Sequence, residues 1–143
     1  MLKNFFGYHV RRLHQALRAS LAARLSDMDM TLPQFFALAA LAENPGSSNA
    51  DTARACSVTP QTMNAIVRGM VDAGWVERAQ STEHGRVIEL TLTDIGREKL
   101  QEAQSAVASI DTEIAEVEDA EALIAAMNRV SDMLESLHVE EPA

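Results

Sequence analysis

Gln61, Thr62, Asn64, Ala65 and Arg68 share the polar face of one short stretch, Val58 to Arg78. Amides of Gln and Asn can pair bidentately with adenine, and a guanidinium can pair with guanine, so these residue types suit the reading of base edges. Such chemistry needs a rigid element to carry it. Thr59 can cap orphan N–H groups, and Pro60 fits the first helical position because its missing N–H would go unpaired there. Met63, Ile66, Val67, Met70 and Val71 then recur at helical spacing, giving a stripe that can face a core. Gly74 supplies a left-handed stop, and Trp75-Val76 restarts the chain as a strand. The competing reading is a solvated helix of any small α domain, so the flanking segments decide.

Other chemistries find little support. The chain has no phosphate-binding glycine loop, no CxxC, no HExxH and no GxSxG, the spacings that would announce a nucleotide, metal or nucleophile site. Its Ser, His and Asp residues form no recognisable triad, so no enzyme activity and no cofactor are expected. His9 and His14 lack a cysteine or acid at ligand spacing and read as surface or interface histidines. Cys56 reads as a core thiol, because a redox sensor needs exposure and a cation to lower its pKa, and Arg54 is the one obvious neighbour.

The segments around the stretch place it in a recognisable setting. Ser48-Asn49-Ala50-Asp51 resembles a capping box, with Asp51 where Glu or Gln is usual. It opens a short helix through Ala55, and Cys56-Ser57-Val58 turns into the next helix. Two helices so joined, the second with a polar N-terminal face, form a helix-turn-helix. Trp75–Gln80 and Arg86–Leu92 alternate as hairpin strands around the polar loop from Ser81 to Gly85. A hairpin directly after a helix-turn-helix is a wing, and Arg78 and Arg86 are placed on it to meet phosphate or a narrow minor groove. Alternatively, these arginines pair with Glu77, Glu83 or Glu89 across the hairpin.

Outside this module the pattern is helical. Residues 4–25 put Val10, Leu13, Leu17, Leu21 and Leu25 on one stripe, with Lys3, Arg11, Arg12, Arg18 and Arg24 giving a basic segment. Pro33 opens an apolar helix through Phe35, Phe36, Leu38 and Leu41 that stops before Asn44-Pro45-Gly46. After Thr93-Asp94-Ile95-Gly96, heptad-like seams run through Ala103, Val107, Ile110, Ile114 and Val117, then through Leu123, Met127, Val130, Leu134 and Leu137. That is more apolar stripe than a monomer of this size needs, which points to a dimer. Residues 138–143 read as a frayed tail.

At 143 residues the chain can bury one domain core. Its net charge of −9 is uneven: residues 1–93 carry nine Lys/Arg against eight Asp/Glu, and residues 94–143 carry three against thirteen. The acidic surplus therefore belongs to the C-terminal third and leaves the central module free to face phosphate, since charges are screened over about 8 Å at physiological salt. No apolar run approaches the ~20 residues that span a bilayer. The opening residues lack a signal-peptide core, and the single cysteine cannot form an internal disulfide, so a cytoplasmic location with no membrane partner is expected.

From Phe5 to Leu137 this order of elements resembles the MarR family (multiple antibiotic resistance regulators) of dimeric winged-helix transcription factors. The most specific parts are Gly74-Trp75-Val76-Glu77-Arg78, Gly85-Arg86, and Leu92-Thr93-Asp94-Ile95-Gly96, which matches the family's "LT..G" close of the wing. The resemblance implies a mainly α fold with a small β wing: six helices and a two- to three-stranded hairpin sheet. It implies a winged helix-turn-helix DNA-binding domain over 31–93 and a helical dimerisation domain from 1–30 and 94–143. It further implies a homodimeric repressor on a pseudo-palindromic operator of double-stranded DNA, released by a small aromatic or phenolic effector. Ser48, Thr59, Pro60, Gln61, Thr62, Asn64, Ala65, Arg68, Arg78, His84 and Arg86 are the expected DNA-facing positions, and Arg11, His14, Phe35, Phe36 and Trp75 the expected effector pocket. Two positions depart from the family pattern. His84 replaces the acid that usually steadies the wing arginine, and Ala65 replaces a frequent recognition-helix arginine. The alternative is a winged-helix module that binds protein, as a co-regulator or antitoxin-like partner without strong DNA affinity.

Overall fold

The computed structural model describes residues 1–83 and 85–138. A short 3-10 turn, Leu2–Asn4, precedes α1 (Phe6–Ser26), which is followed by α2 (Leu32–Glu43), β1 (Ser47–Ser48), α3 (Asn49–Ala55) and α4 (Pro60–Asp72). The hairpin strands β2 (Val76–Gln80) and β3 (Ile88–Leu92) come next, and α5 (Asp94–Ala115) and α6 (Ala120–His138) complete the described chain. This is the expected six-helix fold with a small sheet. Of the tail expected at 138–143, residues 139–143 lie outside the described residues, as does His84.

Helix starts follow from local chemistry. Thr31, Ser48 and Thr59 each accept a backbone N–H three residues on, satisfying a donor that the first helical turn leaves open. The full reciprocal box belongs to Thr31, whose backbone N–H donates to Gln34 Oε1 at 2.9 Å. At Ser48 the expected box is only half made. The shorter Asp51 side chain takes the Ser48 hydroxyl at 2.7 Å instead of reaching back to its backbone. Gly74, at φ 75°, stops α4 in the left-handed conformation that glycine adopts without strain.

The sheet is antiparallel in the order β1-β3-β2. Val76 pairs with Leu92, Arg78 with Leu90 and Gln80 with Ile88. The hairpin ladder is shorter than the expected 75–80 and 86–92, although Ser81 N–H still donates to the Val87 carbonyl at 2.8 Å. Strand β1 adds a third member that two serines do not announce. Its Ser47 and Ser48 stand opposite Leu90 and Glu89.

Residues 1–107 form one compact unit and the chain from Ala108 onward a second. The core of the first gathers Leu25 from α1, Leu38 and Leu41 from α2, Met63, Val67 and Met70 from α4, Leu90 and Leu92 from β3, and Leu100 and Ala103 from α5. The stripe read on α4 is thus buried as expected, with Ile66 and Val71 half-buried at its margins. On α1 only the C-terminal end of the stripe is covered, and Val10, Leu13 and Leu17 remain exposed. In the second unit Ile110 and Ala120 are buried, while Leu123, Met127, Leu134 and Leu137 along α6 are exposed.

Candidate nucleic-acid interface

The helix-turn-helix is built by a few specific bonds. Asn49 Nδ2 donates to the Pro60 carbonyl at 2.9 Å, tying the start of α3 to the start of α4. Thr52, buried on α3, donates its hydroxyl to the Ser48 carbonyl at 2.8 Å. The turn closes with Val58 N–H on the Ala53 carbonyl at 3.0 Å and Ser57 at φ 55°. These contacts fix the angle at which α4 leaves the body, and so where its polar face points.

On α4, Met63, Val67 and Met70 are buried, while Gln61, Thr62, Asn64, Ala65 and Arg68 are all exposed. The capping hydroxyl of Thr59 accepts the Thr62 N–H at 3.1 Å and donates to Thr62 Oγ1 at 2.9 Å, so it is committed to the helix end. Ser48 is similarly engaged, accepting the Asp51 N–H at 3.1 Å. That hydroxyl, with lesser help from the Ser48 backbone and then from the paired Arg54, holds the exposed Asp51 carboxyl below the usual aspartate range against the opposing effect of desolvation. Arg54 is therefore engaged on α3 itself. It does not lower the pKa of Cys56, whose half-buried thiol is pushed up by desolvation.

The hairpin carries two cations, Arg78 on a strand and Arg86 in the turn. Side chains alternate along a strand, so Arg78 shares a sheet face with the buried Val76 and with its cross-strand partner Leu90. The inward face runs from the core out to Arg78 and the exposed Ile88. Arg86 is exposed in the turn, where Gln80 Nε2 donates to the Gly85 carbonyl. Among the described residues, Arg68, Arg78 and Arg86 make no ion pair, and the alternative pairing with Glu77, Glu83 or Glu89 is not formed. Asn49, Asn64, Arg68 and Arg78 meet at a cleft of about 430 Å³ floored by Val67 and Leu90. Of the expected DNA-facing positions, His84 lies outside the described residues.

The effector candidates are dispersed. Arg11 and His14 are exposed on α1. Phe35 is half-buried and Phe36 is exposed, their rings 5.7 Å apart, while Trp75 is enclosed in the core. Phe36 opens onto a cleft of about 370 Å³ shared with Cys56. Two features escaped the sequence reading. Arg18, with Ser26 and Thr31, lines a cleft of about 520 Å³ beside the start of α2. Its spacing to Ala22 and Ser26, on one helical face, was the available signal. Asn49 as the strut of the motif had none, because its partner is a backbone carbonyl. Among the described residues no His, Cys, Asp and Glu cluster could hold a metal ion, and no helix is long and apolar enough to cross a membrane.

A family model described as the MarR family matches residues 28–87. The HTH-type transcriptional repressor Rv2887 of Mycobacterium tuberculosis is 41% identical over 108 residues, covering 76% of this chain and 78% of the relative. The crystal structure of Rv2887 in complex with DNA aligns over 93% of this chain and 97% of its own, at 34% identity and a TM-score of 0.71. Its complex with salicylic acid aligns over 93% and 96%, at 36% identity and a TM-score of 0.67. The transcriptional repressor CouR, bound to a 23-mer DNA duplex, shares the fold with a TM-score of 0.85 over 93% of this chain and 94% of its own, at 22% identity. With the MarR family protein Rv2887 41% identical over 76% of this chain, and with this winged helix-turn-helix, the chain belongs to the MarR family.

Proposed function

We propose that this protein is a DNA-binding transcriptional repressor, acting as a homodimer on a pseudo-palindromic operator in the cytoplasm, and that it is not an enzyme. One observation carries the reading: Arg68, Arg78 and Arg86, on α4 and the hairpin beside it, make no ion pair among the described residues. Cations left uncompensated beside a capped, polar helix face are suited to phosphate and groove contacts. Gln61, Thr62 and Ala65 stand on the outer surface of α4 and meet base edges. Thr59 and Pro60 seat the helix end, Ser48 seats α3, and Arg86 serves the wing. Dimerisation belongs to residues 1–30 and 94–143. The apolar side chains exposed along α1 and α6 support that assignment, because water-exposed stripes of this kind are relieved by a second copy.

The same reading makes a small aromatic acid the effector, supported by the salicylic acid complex of Rv2887. Arg11, His14, Phe35, Phe36 and Trp75 remain the candidate pocket residues, with Arg18 added by the structure. The experiment is titration of the purified protein with duplex DNA over a range of salt. Affinity that falls steeply with salt supports the repressor reading. Salt-insensitive or absent binding favours the protein-binding module.

A further inference from the structure

Arg68 and Arg78 come from different elements yet line the same cleft. Arg68 follows Asn64 by four residues, so both stand on one flank of α4, the flank turned to the hairpin. Gln61 and Ala65 occupy the outward surface between that flank and the opposite one. Arg78 reaches the cleft from the inward sheet face, beside Leu90 and Ile88. The floor is apolar and the rim carries two guanidinium groups and an amide, which is a cradle for an anion. A guanidinium offers a planar fork of donors that matches phosphate oxygens, and neither arginine is ion-paired among the described residues.

A second observation points the same way. Asn49, in the wall of this cleft, gives its Nδ2 to the Pro60 carbonyl, while its Oδ1 is buried without a hydrogen-bond partner. A buried acceptor left open is costly, and it can be satisfied only by a donor. The guanidinium groups sharing the cleft are such donors, so Asn49 can steady one of them without competing for the anion. The cleft also lies where geometry requires a phosphate. With α4 in a major groove and the hairpin at the adjacent minor groove, the strand separating the two grooves must pass between them.

We infer that the cleft between α4 and the hairpin grips one backbone phosphodiester of the DNA in each half-site, through Arg68 and Arg78. The assignment rests on the DNA-binding reading. It makes Arg68 a register-setting contact and leaves base identity to Gln61 and its outward neighbours. It also makes Arg78 part of the same grip, not a separate wing contact.

The test uses the full-length protein and its R68Q and R78Q variants, with unfolding midpoints checked first. Each is titrated with operator duplexes carrying one uncharged methylphosphonate, moved along both strands. One position per half-site, at the border between the contacted grooves, should weaken the wild type about tenfold or more. The same position should cost R68Q and R78Q less than the wild type, and the double variant R68Q/R78Q about twofold or less, because only there are both charge partners gone. Base preferences of R68Q should match those of the wild type. Equal losses for wild type and variants at every position would overturn the assignment. So would an R68Q variant that relaxes preference at one base pair while keeping its sensitivity to methylphosphonate. A wild type that binds no duplex at all would instead overturn the DNA-binding reading, and the phosphate grip with it.

Discussion

Gly96 lies directly against the backbone of Trp75. A Cβ built on this glycine would fall well inside van der Waals contact distance of the Trp75 carbonyl oxygen and 2.9 Å from its carbonyl carbon. The neighbouring Thr93 completes the junction. Its N–H donates to the Trp75 carbonyl at 3.0 Å, and its hydroxyl donates to the Gly74 carbonyl at 2.6 Å while accepting the Gly96 N–H at 3.0 Å. Leu92, just before it, is buried. The "LT..G" pattern thus has a physical meaning here: one buried side chain, one hydroxyl joining α5 to the end of α4, and one residue without a side chain.

Gly96→Ala should therefore destabilise the protein by about 1–3 kcal/mol, the usual range for overpacking, because the wall it meets is backbone and cannot rotate away. Urea unfolding with an unchanged m-value measures this. An unaltered midpoint would mean that α5 does not start against Trp75.

The Ser48–Asp51 pair makes a pH prediction. The Ser48 hydroxyl, with smaller contributions from the Ser48 backbone and Arg54, holds the Asp51 carboxyl below its ordinary value. A depressed carboxyl pKa contributes stability that is present above the unfolded value and is lost as pH falls through the folded one. Ser48→Ala should raise the Asp51 titration midpoint toward the ordinary aspartate value, read by carbon NMR of the carboxyl. A midpoint that does not move would assign the depression to the Ser48 backbone and Arg54 instead of the hydroxyl.

Arg86 and Gln61 should fail in different ways. Arg86→Ala should weaken binding on most sequences and flatten the salt slope by about one unit per subunit, as expected for a lost phosphate or minor-groove cation. Gln61→Ala should relax preference at particular base pairs, by about 1–3 kcal/mol per discriminated position. Competition binding against a panel of single-base variants separates the two. A uniform loss for Gln61→Ala would count against base reading by this residue.

Cys56 should be chemically quiet. Burial raises its thiol pKa, so less thiolate is present at neutral pH than in an ordinary cysteine. Alkylation by iodoacetamide should be slow in the native protein, accelerate as pH rises, and become fast in urea. Peroxide should leave DNA affinity unchanged. Rapid native alkylation at pH 7 would reopen a sensing role.

Much of this architecture was legible because the signals are local. Thr59-Pro60 and Gly74 delimit α4, and the spacing of Met63, Val67 and Met70 marks its buried stripe, with no need of distant contacts. The hairpin was legible in outline but not in length, since strand ends depend on pairing partners that periodicity cannot see. Two serines carry no strand signal, so β1 is legible only from its partner on β3. The Asn49 strut and the joining of Arg68 with Arg78 are long-range relationships between α3, α4 and β2. Residue types suggested cations for DNA, but only the fold brings two of them to one cleft. The effector candidates were the least legible, because cavity lining depends on side chains from several helices, and the five named residues are scattered across α1, α2 and the core.

The central claim is that this chain reads operator DNA as a two-fold dimer, and selection of bound duplexes from a random pool, followed by sequencing, tests it most directly. The expected result is an enriched palindrome with half-sites about 10–10.5 bp apart centre to centre, the spacing two recognition helices impose on one face of a duplex. No enrichment, even at low salt, would contradict it and leave the protein-binding module as the better description.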